Sequence, residues 1–556
     1  MAVARGDKPA DLVLKGGRVL SVFTREWLHT DVAVAGGHVV GLGAYRGRRT
    51  LELDGAYLVP GFIDSHVHLE SSKLMFDGFA RAVLAQGTTA VVTDPHELAN
   101  VLGADGVHWM LEATKDLPLD IFVMAPSCVP ASALESPLRP LSSGDIASLL
   151  RRRRTIGIAE MMNFPAVIAG DAGELAKLAT GLTDHVDGHA PGVRGAQLNA
   201  YAAAGIASDH ESTTFEEALE KRRLGMWVML REASAARNLS DLLPLVKKYG
   251  PDRCMLCTDD REPDFILEEG HINQMVRLAV GEGVAPEDAL LMATLNPADY
   301  HGLRHLGAIA PGRQADLLVL DELETFRPRL VLKRGAEPIV PSTPVPEWVR
   351  HTVRVAPVTA SSFRVAAAGP GPLRAIRLVP GQLLTGSEEV AVEASSGELK
   401  ADPARDLAKV AVLERHHASG RIGLGFVRGS GLSRGAFAST VAHDAHNIVV
   451  LGASDEDMAA CVARLAELGG GIVVAEGAHI VSELALPVAG LMSDASAEDV
   501  ARRLKEVERA VAGLGVGVAS PFMALSFLAL SVIPELKITD RGLVDVSAGR
   551  VVPVQV

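Results

Sequence analysis

Between about residues 59 and 310 the chain alternates short apolar runs with stretches of helical periodicity. That rhythm restricts the fold more than any other feature. The runs fall at residues 89–92, 121–124, 156–159, 206–207 and 255–257. Parallel strands need long crossovers and helices supply them, so the pattern is that of repeated βαβ units. The span suits a closed (β/α)8 barrel of roughly 250 residues. The expected fold class is therefore α/β, with a TIM-like barrel over residues 59–310.

The flanks read differently. Residues 10–19 read as strand, turn and strand, and Ala10-Asp11-Leu12 is echoed by Ala315-Asp316-Leu317. The two copies are expected to form two edges of one small β domain, built from residues 1–58 and 311–340 at either end of the barrel. Pro338, Pro341, Pro344 and Pro346 then make a stiff spacer. A separate C-terminal α+β domain follows over 352–556. Its Gly469-Gly470-Gly471 suggests a tight turn, since no dinucleotide or nucleotide-triphosphate glycine motif surrounds it.

A chain of 556 residues is too long for one core. Its 54 lysines and arginines face 68 aspartates and glutamates, a net charge of −14. This argues against nucleic acid as a partner, because neutralising phosphates takes clustered cations. The one basic run, Arg151 to Arg154, reads as a solvated helix end. Four cysteines make no disulfide framework, residues 1–14 hold no apolar signal core, and a cytoplasmic setting is expected. Residues 510–534 carry no charge, but Gly513, Gly515, Gly517, Ser520 and Pro521 interrupt them. Leu514, Val516 and Val518 alternate as in a strand and Pro521 can open a helix, so a buried strand–helix pair is expected rather than a membrane span.

The chemistry starts at His66-Val67-His68, at the end of the run Phe62-Ile63-Asp64-Ser65. Residues two apart on a strand face one side, so both imidazoles aim at one point. Glu160, His189, His210 and Asp259 follow, each at the end of an expected barrel strand, where barrel active sites form. Four histidines and two carboxylates suffice for two divalent ions, with Glu160 between them. A bridged pair lowers the pKa of a shared water toward neutrality, and the hydroxide attacks an sp² carbon. Asp259 is expected to pass the water proton to the leaving group, which makes Asp259 and Glu160 the catalytic residues. The ligand set by itself names neither substrate nor metal; zinc, iron and manganese all suit it.

Three other patterns fail. His96-Glu97-Leu98-Ala99-Asn100 has asparagine where a zincin has its second histidine. Cys254 and Cys257 have no second pair and lie inside an apolar run, so core packing is the better reading. His68-x-Glu70 with that cysteine pair mimics the zinc nucleobase deaminases, but Arg253 stands where proline should precede Cys254.

Pro60 to Glu70, Asn296-Pro297-Ala298 and Gly307 to Asp316 resemble the amidohydrolase superfamily. More narrowly, the chain resembles the adenine deaminase family. The segments that carry this are His66 to Ser72, Asp94 to Val101, Pro126-Ser127-Cys128-Val129-Pro130, Ala159 to Pro165, Asp187 to Gly192, Ser208 to Glu211, Ser439 to Asn447 and Leu525 to Leu530. The resemblance implies hydrolysis of adenine to hypoxanthine and ammonia, purine salvage, and a homo-oligomer, as a dimer. It implies two divalent ions, manganese or iron before zinc, on His66, His68, Glu160, His189, His210 and Asp259. Ala233 stands where the family pattern has glycine. Glu70, Ser71, Ser72, His96 and Glu97 follow strand ends and are expected to contact a purine; the bland alternative is helix capping by the serines and a loop-bonded His96. Rival readings are another cyclic amidohydrolase of dihydroorotase or hydantoinase type, and a barrel kept only as a binding module. Glu160 speaks against the first, because many of those enzymes bridge their metals with a modified lysine, and the complete ligand set speaks against the second.

Overall fold

The computed structural model describes residues 1–180, 185–379 and 384–556. Eight short parallel strands form the centre: β1 (Phe62–Val67), β2 (Thr88–Thr93), β3 (Asp120–Ala125), β4 (Thr155–Met161), β5 (Val186–Gly188), β6 (Ser208–Asp209), β7 (Trp227–Arg231) and β8 (Cys254–Cys257). Strands β1 to β5 pair in sequence order, as do β6 to β8. Two seams close the cylinder. Val67 and Asp259 form a parallel bridge, with Asp259 N donating to His66 O at 3.0 Å. Across the other seam Ala207 N donates to Val186 O at 3.0 Å. Every residue of β1, β2 and β8 is buried, one face filling the barrel and the other packing on helices, as parallel strands require. The helix Phe76–Ala85 shows the outer layer: Phe76, Phe79, Ala80 and Val83 are buried at helical spacing.

The β5–β6 seam explains Gly188. A Cβ there would lie 2.3 Å from Ser208 O and 2.6 Å from Ile206 Cγ2. Only glycine lets the strands approach so closely, and the next residue is His189.

Both flanks meet in one antiparallel and parallel sheet. Its order is Pro328–Leu332, Leu317–Leu320, Tyr57–Pro60, Ala10–Ser21, Glu26–Ala35 and His38–Leu42, with Gly47–Glu52 beside Ala10–Ser21. The two Ala-Asp-Leu copies share this sheet but neither lies on its edge, which corrects the expectation from sequence. Asp316 of the second copy serves another purpose. With Asp120 it takes Lys333 Nζ (2.5 and 2.6 Å), fastening the sheet beneath the barrel.

The C-terminal region forms an eight-stranded sheet, ordered Thr385–Val390, Leu373–Leu378, Ile422–Arg428, Leu407–Leu413, Ile448–Gly452, Ala436–Ser439, Gly471–Glu476 and His479–Ala485. Helix Asp455–Leu468 packs against it, and Gly469, with φ +74°, ends that helix in the turn expected from three successive glycines. Helix Ala497–Gly513 packs between the sheet and the barrel helix Pro263–Glu268, burying Val500, Leu504, Val507 and Val511. One buried apolar cluster runs from Phe76, Phe79 and Trp109 of the barrel to Val441, Leu491 and Leu504 here, so the C-terminal region is seated by a shared core.

Residues 514–518 are not a strand. Gly515 has φ +102°, and Leu514 O and Gly517 N bond the loop at Ser430 and Ser433 without forming a ladder. The helix expected after them is present as Pro521–Phe527. Among the described residues no helix is long and apolar enough to cross a membrane. Arg151 to Arg153 are exposed past the helix Ser143–Leu150, whereas Arg154 turns inward and donates to Ile121 O at 3.0 Å.

Candidate active site

All six strand-end residues converge at one mouth of the barrel. His66 lies in β1 and His68 just beyond it, Glu160 in β4, His189 after β5, His210 after β6 and Asp259 after β8. Each is at most 5% exposed. The His68 ring donates from Nδ1 to Asp94 O (2.9 Å), because a carbonyl can only accept. That leaves Nε2 facing Asp259 Oδ1 at 3.1 Å and Glu160 Oε1 at 3.3 Å. His66 Nε2 faces the same two oxygens at 3.5 and 3.7 Å and has no hydrogen-bond partner. His210 Nε2 lies 3.3 Å from the other oxygen of Glu160. Ligands about 2.1 Å from a tetrahedral ion sit about 3.4 Å from one another, so these spacings suit donors around a divalent cation. His189 departs from this: its Nδ1 hydrogen-bonds Glu160 Oε2 at 2.7 Å. The donor set fits divalent metal, with Glu160 splitting its two oxygens between the β1 pair and the β5–β6 pair.

The electrostatics agree. Burial works to raise the pKa of Glu160, yet His210, His189 and His68 hold it well below the usual carboxylate range. Burial likewise opposes ionisation of Asp259, and His66, His68 and Arg231 outweigh it. Conversely burial disfavours charge on His68, but Asp259 and Glu160 hold its pKa well above the histidine norm. Two buried anions thus demand positive charge beside them. Asp259 also adopts φ +57°, a strained conformation for a residue other than glycine, costing on the order of 1–3 kcal/mol.

Arg231 and its partner Glu211 escape a reading of strand ends as ligands. Arg231, at the end of β7, donates to Asp259 Oδ2 at 2.8 Å and to both oxygens of Glu211, which follows His210. Its sequence signal was a buried-type run, Val228-Met229-Leu230, closing on a cation. The guanidinium fixes one oxygen of Asp259 and turns the other toward His66 and His68.

The cavity over this cluster is lined by His68, His96, Arg231 and Asp259 from the barrel, and by His443, Asp444, Met523, Phe527, Leu530 and Ile533 from the C-terminal region. Phe527 stacks on the His443 ring, with centroids 4.7 Å apart. Of the five residues expected to contact substrate, His96 alone lines it. Ser72 Oγ donates to Leu69 O and caps a turn. Glu70 accepts from Leu98 N at the start of the helix His96–Leu102, and Ser71 donates to Glu97. Glu70, Ser71, Ser72 and Glu97 therefore stand behind the wall, where one oxygen each of Glu70 and Glu97 is hydrogen-bonded and the other is buried without a partner. Ala233 also lines the cavity, and its φ is not positive, so alanine fits there without strain. Cys254 and Cys257 are free and buried in the core, as read from sequence.

Comparison with known proteins gives the same result over the whole chain. Residues 57–354 match the model of the amidohydrolase family, and residues 382–550 match that of the adenine deaminase C-terminal domain. The chain is 46% identical to adenine deaminase 2 of Carboxydothermus hydrogenoformans, covering 99% of this chain and 98% of the relative. It is 48% identical to the adenine deaminase of Desulfatibacillum aliphaticivorans, covering 98% and 97% respectively. Identity to that of Archaeoglobus fulgidus is also 48%, over 100% of this chain and 97% of the relative. With a barrel whose strand ends converge on four histidines and two carboxylates, and with both domain models matched in order, the chain belongs to the adenine deaminase family of amidohydrolases.

Proposed function

We propose that this chain hydrolyses adenine to hypoxanthine and ammonia at a centre of two divalent ions held by His66, His68, Glu160, His189, His210 and Asp259. The observation that carries this reading is the pair of buried anions, Glu160 and Asp259, ringed by imidazoles of which His66 Nε2 has no partner. Bound divalent ions acidify water toward neutrality and offset developing negative charge. Manganese or iron is the favoured occupant on family grounds; the nitrogen and oxygen donors accept zinc as well.

The chain's own residues do the rest. Asp259, kept ionised, accepts a proton on the oxygen turned toward His66 and His68 and returns it to the departing amino group. Arg231 holds the opposite oxygen, so that carboxylate does not swing during the transfer. Met523, Phe527, Leu530 and Ile533 offer an apolar wall suited to a flat heteroaromatic ring and exclude water from it. Under this reading the protein is a cytoplasmic enzyme of purine salvage, working as a homo-oligomer. The test is ammonia release from adenine by the manganese-loaded protein, with adenosine as control. Ring opening of hydantoin or dihydroorotate, with no ammonia from adenine, would move the chain to another cyclic amidohydrolase activity.

A further inference from the structure

We propose that His96, His443 and Asp444 hold a third divalent cation, beside the six strand-end residues and shared between the barrel and the C-terminal region. One donor atom from each of the three lies within 4.8 Å of the others. Asp444 Oδ1 stands 3.6 Å from His96 Nε2 and 3.3 Å from His443 Nδ1. These are again the spacings of donors about a common ion rather than of aligned hydrogen bonds, for His96 Nε2 and Asp444 Oδ2 are buried with no partner.

The orientation of each ring supports ligation. His96 Nδ1 lies 3.0 Å from Asp94 Oδ2, and an ionised carboxylate only accepts, so Nδ1 donates there and Nε2 is the atom left to face an ion. His443 turns its Nε2 toward Asp260 Oδ2 (3.6 Å), leaving Nδ1 for Asp444. A carboxylate hydrogen-bonded behind the ring, as Asp94 is behind His96, is the usual support of a metal-binding histidine. The neighbouring group of Glu97, His443 and His446 fails this test. His446 Nδ1 accepts from Ala442 N at 3.1 Å, so its Nε2 carries the proton and has no lone pair to give.

Charge makes the same demand. Asp94, Glu97, Asp260 and Asp444 are all buried. Among the described residues their ion pairs run to histidines, never to lysine or arginine. Buried carboxylates without a fixed cation are costly, and a divalent ion neutralises them. Two imidazoles and a carboxylate select a transition metal such as manganese, iron or zinc over magnesium or calcium. The proposal does not depend on which substrate the enzyme takes.

The test uses the full chain, stripped of metal, reloaded with manganese chloride and desalted. Metal analysis is expected to find three ions per chain in the parent and two in His443→Gln and Asp444→Asn, with thermal unfolding confirming that both variants fold. Anomalous diffraction of the manganese-loaded parent is expected to show a peak between His96 Nε2, His443 Nδ1 and Asp444 Oδ1. Peaks at the six-residue centre with none at the second position would overturn the proposal, as would an unchanged metal count in both variants. Loss of the peaks at the six-residue centre would count instead against the proposed function. If neither variant folds, the diffraction of the parent decides.

Discussion

At the residue scale, the arrangement turns on Asp259 having two different oxygens. One faces the imidazoles of His66 and His68, and Arg231 grips the other. Arg231→Met leaves Asp259 and Glu211 buried without their cation, and a displaced base of this kind costs about 10²-fold in rate. The expected outcome is that fall in kcat with the metal content retained; a variant with parental kcat would remove Arg231 from the account. His66→Asn withdraws an imidazole donor, so metal analysis should find less bound metal after desalting than in the parent. The six strand-end residues were legible in the sequence because each falls at the end of an expected strand and carries a group that cannot be buried unpaired. Arg231 was not, because a cation at a strand end reads equally well as a solvated residue. His443 and Asp444 reach the site only through tertiary packing, and the spacing of the chain carries no trace of that.

At the element scale, the precision of the site rests on how the β strands close. Gly188→Val forces a side chain against Ser208 O and Ile206. Overpacking of this kind costs about 1–3 kcal/mol. The seam beside His189 should open, lowering both the unfolding temperature and the metal affinity; parental values for both would contradict the packing described. Lys537, on the strand Leu536–Thr539, tests the C-terminal region separately. Burial pushes its pKa down to about 7 from 10.5. Between those values the unfolded chain binds a proton that the folded protein has released, so stability rises with pH across that window and is lowest below it. Lys537→Met should therefore unfold at a higher temperature than the parent at pH 6, with the gap closing toward pH 10. A gap independent of pH would refute the assignment. Most barrel strands were visible as Val- and Ile-rich runs. Residues 514–518 misled because Leu-Gly-Val-Gly-Val alternates like a strand, while the positive φ of Gly515 leaves no mark on hydrophobic pattern.

At the scale of the whole molecule, a shared apolar core seats the C-terminal region over the barrel mouth. The barrel brings the strand-end cluster and the C-terminal region brings Asp444, Phe527 and the apolar wall, so neither completes the cavity alone. Buried anions set against one another make the folded state depend on bound cations. An ion at about 100 times its dissociation constant adds ~2.7 kcal/mol to stability. Chelation should lower the unfolding temperature and manganese should restore it; an unfolding temperature indifferent to chelator would mean that the cluster holds no ion. The central claim is the reaction itself, and the most direct measurement is steady-state ammonia release by the manganese-loaded chain. Turnover of adenine to hypoxanthine with stoichiometric ammonia is expected, abolished by Asp259→Asn. No ammonia from adenine with the metal sites filled would contradict it.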